Sequence, residues 1–148
     1  MIFDKTKVKG RLNVVLTDKD GNVKDSREVN NLVVDAGLDY IASRMKDTTD
    51  TAMSHMAVGA GTTAAAAGDT ALGSELGRVS LTSTTVTSNA VAYVATFGAG
   101  TGTGAVTEAG ILNAGSGGTL LCRTVFDVVN KSADDTLSVT WTITISAS

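Results

Sequence analysis

The last part of the chain alternates apolar and hydroxyl-bearing residues with a period of two. The apolar positions are Leu137, Val139, Trp141, Ile143 and Ile145, and only serine and threonine stand between them. Strict alternation over this length predicts a strand with one face in a core and one face of hydroxyls. We expect these five apolar side chains to form the centre of the core.

The same rhythm opens the chain and is followed by a turn signal. Apolar or small residues at Val8, Gly10, Leu12, Val14 and Leu16 alternate with polar ones. The stretch from Asp18 to Asn22, DKDGN, has the Asp and Gly composition of a tight turn. The pattern predicts a hairpin whose return strand runs from Asn22 to about Leu32.

One segment changes to the period of a helix. Apolar residues recur at Val34, Leu38, Ile41, Ala42 and Met45, which predicts one short α-helix over about residues 35–45 with Asp35 as its N-cap. Gly37 inside a helix costs about 1 kcal/mol relative to alanine. Its presence indicates that the helix packs closely against the sheet.

Short β-prone runs make up the rest of the chain, separated mostly by glycine-rich breaks. They are 52–58, 78–84, 85–97, 105–114 and 119–129. Many short strands with turn signals and a single helix favour an all-β fold over a parallel α/β sheet. We predict one domain over residues 1–148, a β-sandwich or a jelly-roll-like domain.

Residues 58–78, VGAGTTAAAAGDTALGSELGR, raise the question of a phosphate-binding loop. A Walker A loop needs a lysine after its last glycine, and this segment has none; a dinucleotide fingerprint needs a third glycine where Ala64 stands. Both interpretations fail. The remaining prediction is a flexible or extended Gly/Ala-rich arm over 59–71, capped by Asp69.

The charged residues are unevenly distributed. Of 27 charged residues, 18 lie in the first 50 positions, and the net charge is −3. An acidic balance argues against a nucleic-acid partner. A long charge-poor segment rich in Ser, Thr, Ala and Gly indicates a surface covered by other subunits, with a neutral hydroxyl-rich solvent face as the alternative.

No apolar stretch is long enough to predict a membrane span, and the N-terminus lacks the pattern of a secretory signal. We therefore expect no membrane partner and assembly in a cytoplasm.

The candidate chemical groups do not form a catalytic or metal-binding pattern, so we predict no enzyme activity, no cofactor and no metal. His55 is the single histidine and Cys122 the single cysteine, and we expect a partly buried strand residue and an inert buried thiol. Asp134 and Asp135 are adjacent on a predicted turn and do not resemble a glycosidase pair. Asp18 begins only an incomplete calcium loop, because Val29 occupies the position of the bidentate glutamate.

A row of cations lies along the first predicted strand. Period two places Lys5, Lys7, Lys9 and Arg11 on one face. Such a row could dock on an acidic protein surface, or it could protect an edge strand from unwanted pairing. The two interpretations stay open.

Four segments resemble the small β-rich virion structural proteins of tailed bacteriophages. They are NLVVDAGLDYIASRM (31–45), MAVGAGTTAAAAGDTALGSELGRVSL (56–81), TEAGILNAGSGGTLLCRTVF (107–126) and VNKSADDTLSVTWTITIS (129–146). The third segment is also similar to parts of tail-fibre and baseplate-associated domains. The resemblance covers most of the chain.

The resemblance implies a non-enzymatic assembly protein, with a capsid decoration (cement) protein as the preferred type. Such a protein binds the major capsid protein on the outside of the shell, bridges neighbouring capsomers and self-associates as a homo-dimer or homo-trimer. Its location would be the capsid exterior of the virion. The expected contacts come from the cationic row and from the arm at Gly59, Gly61, Thr62, Thr63 and Asp69.

Two other classes remain. A tail or baseplate adaptor, or a fibre-anchoring protein, would share the fold and the small-residue interfaces. A carbohydrate-binding module is a third class, although the chain has only six aromatic residues, most of them in segments predicted to bury them.

Overall fold

The fold is known from a computed structural model that describes residues 6–46 and 50–147. The elements are β1 (Lys7–Thr17), β2 (Val23–Asn30), β3 (Leu32–Val33), α1 (Asp35–Lys46), β4 (His55–Gly59), β5 (Glu75–Ser80), β6 (Ser83–Thr87), β7 (Ala90–Phe97), β8 (Gly104–Leu112), β9 (Leu120–Lys131) and β10 (Thr136–Ser146). The predicted all-β class and the single short helix are confirmed.

The strands form two antiparallel sheets of five strands each. Sheet A has the order β2-β1-β10-β7-β6, and sheet B has the order β3-β9-β8-β4-β5. The chain passes repeatedly from one sheet to the other, so neither sheet is contiguous in sequence. The architecture is a β-sandwich, with the main core between the two sheets.

The pairing of β1 with β10 joins the two ends of the described chain. It runs in unbroken register from Lys7 opposite Ser146 to Thr17 opposite Thr136. Both strands alternate apolar and polar residues with period two, so the apolar set of each strand points to the same side of the sheet. Leu12 lies opposite Trp141 in the centre of this pair.

Four of the five residues expected at the centre of the core are buried there: Leu137, Val139, Trp141 and Ile143. Trp141 is fully buried, and its indole Nε1 donates a hydrogen bond to Asn31 Oδ1 at 3.1 Å. Ile145 differs from the expectation because it is 39% exposed. Its side chain points to the same inner face of sheet A as the other four. However, it lies near the end of β10 and lines an open groove rather than the core.

The first hairpin forms, with Asp18 organising its turn, but its return strand ends at Asn30, and Leu32, its predicted end, belongs to β3 of sheet B. One carboxylate oxygen of Asp18 accepts hydrogen bonds from the backbone N–H groups of Asp20 and Asn22, both at 2.9 Å. Gly21 has φ of 85°, a conformation that glycine adopts without strain. The acidic residues here therefore build the turn.

The helix packs on sheet B, as the glycine within it indicates. A side chain at Gly37 would clash with the carbonyl oxygen of Leu121 on β9. The backbone carbonyl of Val34 accepts the N–H of Leu38, so Val34 occupies the N-cap position that was expected for Asp35. Asp35 instead lies in the first turn, where a negative charge favours the helix dipole.

We predict that Trp141→Ala will lower the free energy of unfolding by about 3–5 kcal/mol, because Trp141 is the largest fully buried side chain and its removal leaves a cavity in the core. Urea unfolding followed by circular dichroism measures the change. Ile145→Ala is the matched control on the same strand, and it should cost about 1 kcal/mol or less because the side chain is partly exposed. Equal losses in the two variants would contradict this account of the core.

Candidate docking face

The outer face of sheet A is open in the described residues, and small side chains dominate it. The register places Thr142 of β10 next to Ala92 of β7, and Ala92 next to Thr85 of β6. The neighbouring rows are of the same kind, with Thr144, Ala90 and Thr87 on one side and Thr140, Val94 and Ser83 on the other. Three adjacent strands thus present a face of hydroxyl and methyl groups without a charge.

The cationic row borders this face on the β1 side. Lys7, Lys9 and Arg11 are exposed and lie opposite Ser146, Thr144 and Thr142 of β10. Lys5 lies outside the described residues. Arg11 forms an ion pair with Glu28 on β2, so within the described part of the chain Lys7 and Lys9 are the cations of this row without a paired carboxylate.

The position of the cationic row modifies the edge-protection interpretation. β1 lies between β2 and β10 and is not an edge strand of the sheet. Its pairing with β2 begins only at Arg11, so Lys7 and Lys9 lie in a stretch of β1 that has a strand partner on one side alone, β10. Edge protection can therefore apply to these two lysines but not to Arg11.

The segment 59–71 is not a free arm. Gly59 is the last residue of β4, and the chain then forms a loop, residues 60–74, that folds back over the outer face of sheet B. Glu108 of β8 holds both ends of this β4–β5 loop. Its carboxylate accepts backbone N–H groups from Gly61 at 2.5 Å, Gly73 at 2.7 Å and Ser74 at 2.7 Å.

Arg123 of β9 completes the attachment of the β4–β5 loop. Its guanidinium contacts Glu108 Oε1 at 3.0 Å, Asp69 Oδ2 at 2.9 Å and the carbonyl of Thr63 at 3.1 Å. Both Glu108 and Arg123 are almost fully buried. The expected arm is wrong because two buried charges on neighbouring strands bind the backbone of this segment.

These contacts assign different roles to the predicted interface residues. A Cβ at Gly61 would lie 2.3 Å from Glu108 Oε2, and a Cβ at Gly59 would lie 2.4 Å from the carbonyl oxygen of Ser74 and 2.6 Å from Glu108 Oε2, so both positions favour glycine. Asp69 holds Arg123 and also accepts the N–H of Ala66 at 2.9 Å. Of the five, only Thr62 and Thr63 are exposed, so they alone of the five can contact a partner through an exposed side chain without a change in the loop.

The β4–β5 loop also covers a second, smaller apolar cluster. Ala57, Leu112 and Leu120 form it with Val34, and Leu72 of the loop packs against them. Ala57 lies between Met56 and Val58, which belong to the main core, so it points to the opposite side of sheet B. The β4–β5 loop therefore covers the part of the outer face of sheet B around this cluster, whereas β9 is exposed further along, at Asp127 and Asn130.

Sequence reasoning missed the Glu108–Arg123 pair. The available signal was that Thr51 to Ser148 contains only nine charged residues, and two of them stand within apolar strand patterns. Lys131 and Asp135 are also buried. Lys131 Nζ donates to the carbonyl of Gly98 at 2.9 Å, and Asp135 accepts Lys24 Nζ at 2.8 Å.

The pKa values of the buried charges follow from these partners. Burial alone would raise the pKa of Glu108, but the hydrogen bonds from the loop backbone and from Arg123 outweigh it and hold that pKa below its usual range. The hydrogen bond from Lys24 is the main cause of the lowered pKa of Asp135. Burial lowers the pKa of Lys131.

The residues that the sequence offers as candidates for catalysis or metal binding lie apart from one another. His55 begins β4, where its Nδ1 lies 2.7 Å from Ser54 Oγ and its Nε2 lies 3.4 Å from Ser80 Oγ. Asp135 is held in the turn before β10, where it accepts the N–H of Ser132 at 2.9 Å. Among residues 6–46 and 50–147, no helix is long and apolar enough to cross a bilayer.

No protein-family model, no curated protein and no solved structure matches the chain. Geometry and the sequence pattern therefore carry the functional argument.

We predict that Glu108→Gln will destabilise the fold by about 3–5 kcal/mol at neutral pH. It removes the fully buried one of the two carboxylates that contact Arg123, leaving only Asp69, and it replaces one acceptor oxygen of the loop backbone N–H groups with an amide donor. Urea unfolding measures this change. Glu28→Gln, which removes the carboxylate of the exposed Arg11 pair, is the matched control and should cost at most about 1 kcal/mol.

The Glu108–Arg123 pair also makes the free energy of unfolding depend on pH in the acid range. The folded-state pKa of Glu108 lies below its ordinary value of 4.5, so its contribution is present above that pH and is lost as the pH falls through the folded-state pKa. The unmodified protein should lose stability as the pH falls below about 4.5, and Glu108→Gln should show a shallower loss. Parallel pH profiles for the two proteins would contradict this.

We also predict that Cys122 will not react with a thiol reagent such as Ellman's reagent in the native protein. The side chain is fully buried, and burial raises the pKa of its thiol well above the ordinary value of 9.0, so almost no accessible thiolate exists. Stopped-flow absorbance with and without urea measures the rate. Rapid labelling of one thiol per chain without denaturant would be the contrary result.

Proposed function

We propose that this protein is a structural component of a tailed-phage virion, and specifically a capsid decoration protein whose sheet A docks on the outside of the shell. The observation that carries the proposal is the open outer face of sheet A, with three strands of uncharged small side chains and a border of cations. The resemblance of four sequence segments to virion structural proteins supports the same role.

The face has the composition of a protein-binding surface. The cores of interfaces are depleted in charged residues, and their rims are polar. Here Thr142, Ala92 and Thr85 form one row of the neutral centre, and Lys7 and Lys9 lie at its border. A neutral centre with a cationic border fits a flat partner surface that carries carboxylates at the matching edge.

The core beneath sheet A holds this face in place. Trp141 and its neighbours on β10 pack the inner side of the same sheet. Interface residues that are already ordered lose little conformational entropy on binding. A preordered face suits a protein whose many copies each bind one of the equivalent sites of a lattice.

The partner in this proposal is the major capsid protein of the phage that encodes the chain. Binding is measured by co-sedimentation of the purified protein with heads that lack it. Electron microscopy of labelled particles then locates the bound protein. Label confined to tails or baseplates would reject the decoration role in favour of a tail adaptor.

We predict that the double variant Lys7→Ser/Lys9→Ser will bind heads more weakly at low salt, mainly through a slower association rate, because the exposed cations steer the encounter. The difference should shrink as added salt screens the charges. The control Lys19→Ser/Lys46→Ser removes the same charge from the β1–β2 turn and from the end of α1 and should bind normally. Equal binding by both double variants would remove the docking role of the cationic row.

A charge placed in the middle of the face gives a separate test. Ala92→Glu would bury an unpaired carboxylate at the contact, so it should weaken binding at both low and high salt. Ala64→Glu puts the same charge on the exposed β4–β5 loop and should leave binding unchanged. Weakened binding by Ala64→Glu together with normal binding by Ala92→Glu would place the contact on the loop side of the domain.

A further inference from the structure

Strand β6 is an exposed edge with an unused row of backbone groups. It closes one side of sheet A, and all five of its residues, Ser83–Thr87, are exposed. It pairs with β7 in regular register from Ser83 opposite Val94 to Thr87 opposite Ala90, with no bulge. The N–H and C=O groups on its outer side have no strand partner within the described chain.

The other three edges carry features that oppose strand pairing. β2 has four charged residues, β3 is two residues long, and β5 carries Glu75 and Arg78 and pairs with β4 through a register shift. Charges, short length and bulges are the usual means of blocking edge-to-edge association. β6 has none of these, so it is the one edge of the four that can accept another strand.

The chemistry of the edge limits what can pair with it. Residues 79–107 contain no charged residue, and among the residues that line the groove beside β6 only Arg44 of α1 is charged. A charged strand placed here would therefore lose hydration with at most that one cation to pair with. A second copy of β6 brings the same neutral Ser-Thr-Thr-Val-Thr surface. We propose that two copies of this chain associate through β6 in antiparallel pairing about a two-fold axis, which joins their A sheets into one ten-stranded sheet.

The two-fold axis fixes the register of this pairing. With Thr85 opposite Thr85 of the second copy, Val86 lies opposite Thr84 of the second copy and diagonal to its Val86. Val86 is 70% exposed in the single chain, and diagonal neighbours on one face of a sheet are close enough to contact each other. Isologous pairing of this kind closes on itself and does not propagate into fibres.

The surroundings of β6 add apolar surface to the pairing. A groove of about 300 Å³ lies along its inner side, lined by Thr84, Val86, Val91 and Ile145 among others. Ile145, the exposed residue of β10, faces this groove. A second copy placed along β6 extends the groove across the two-fold axis and brings a second exposed Val86 to it.

The paired arrangement would double the docking face, but it does not rest on the proposed function. Its test uses the purified protein alone, so a failure here and a failure of head binding are separate results.

The first experiment measures mass in solution by analytical ultracentrifugation over a concentration series. The unmodified protein should be a dimer, and Val86→Lys should shift it to monomer because two lysines would meet near the axis. Val23→Lys is the matched control, since Val23 is 62% exposed on the β2 edge of the same sheet, and it should remain dimeric. Thermal melting of all three proteins checks that they fold equally well.

The second experiment tests the register by disulfide cross-linking. Thr85→Cys should form a covalent dimer under mild oxidation, whereas Thr87→Cys should not, because its two copies would lie about 13 Å apart along the strands. The native Cys122 is buried and does not interfere.

Three results would overturn the proposal. The first is a monomer at about 1 mM, a concentration at which even a millimolar Kd would be visible. The second is a dimer or trimer that Val86→Lys leaves intact. The third is cross-linking at Thr87 that equals or exceeds cross-linking at Thr85.

Discussion

The alternation of side chains along β1 and β10 is the constraint on which the other features depend. Successive residues of a strand point to opposite faces, so burying Leu137, Val139 and Trp141 under sheet B forces Ser138, Thr140 and Thr142 onto the outer face. The core and the neutral docking face are therefore two sides of one pattern. A shift of a single residue in the β1–β10 register would exchange them.

The charge-poor part of the chain uses its few charges inside the protein. Four of the nine charged residues after Thr51 are buried: Glu108, Arg123, Lys131 and Asp135. Each has a hydrogen-bonding partner in a loop or on another strand. A buried charge is tolerated only with such partners, so these residues fix loop positions and leave the surface more neutral than the composition alone implies.

Much of the fold could be predicted from local patterns. The strict alternation of β10, the DKDGN turn and the helical spacing from Val34 are short-range signals, and all three elements form. Gly37 also gave a correct indication of close packing, because a glycine within a helix has a cost that only a tertiary contact explains. The patterns that predict these features each lie within a short stretch of consecutive residues.

The errors arose where distant residues decide the outcome. A Gly- and Ala-rich stretch such as 59–71 has no period of its own, so it was predicted to be an arm, whereas Glu108 and Arg123 bind it from strands that follow much later in the sequence. Alternation along β10 puts Ile145 on the inner face of sheet A, but the exposure of its side chain depends on how far sheet B extends over it. A local sequence pattern predicts neither which distant residues will bind a loop nor how far the facing sheet extends.

The adjacency of the first and last strands has a practical consequence for rearranging the gene. Lys7 lies opposite Ser146, so a short peptide could connect the start of β1 to the end of β10 without disturbing any pairing, and a chain break could be placed at the surface turn between β6 and β7. Chains whose ends meet in this way tolerate circular permutation. The order of strands along the polypeptide is thus separable from their order in the sheets.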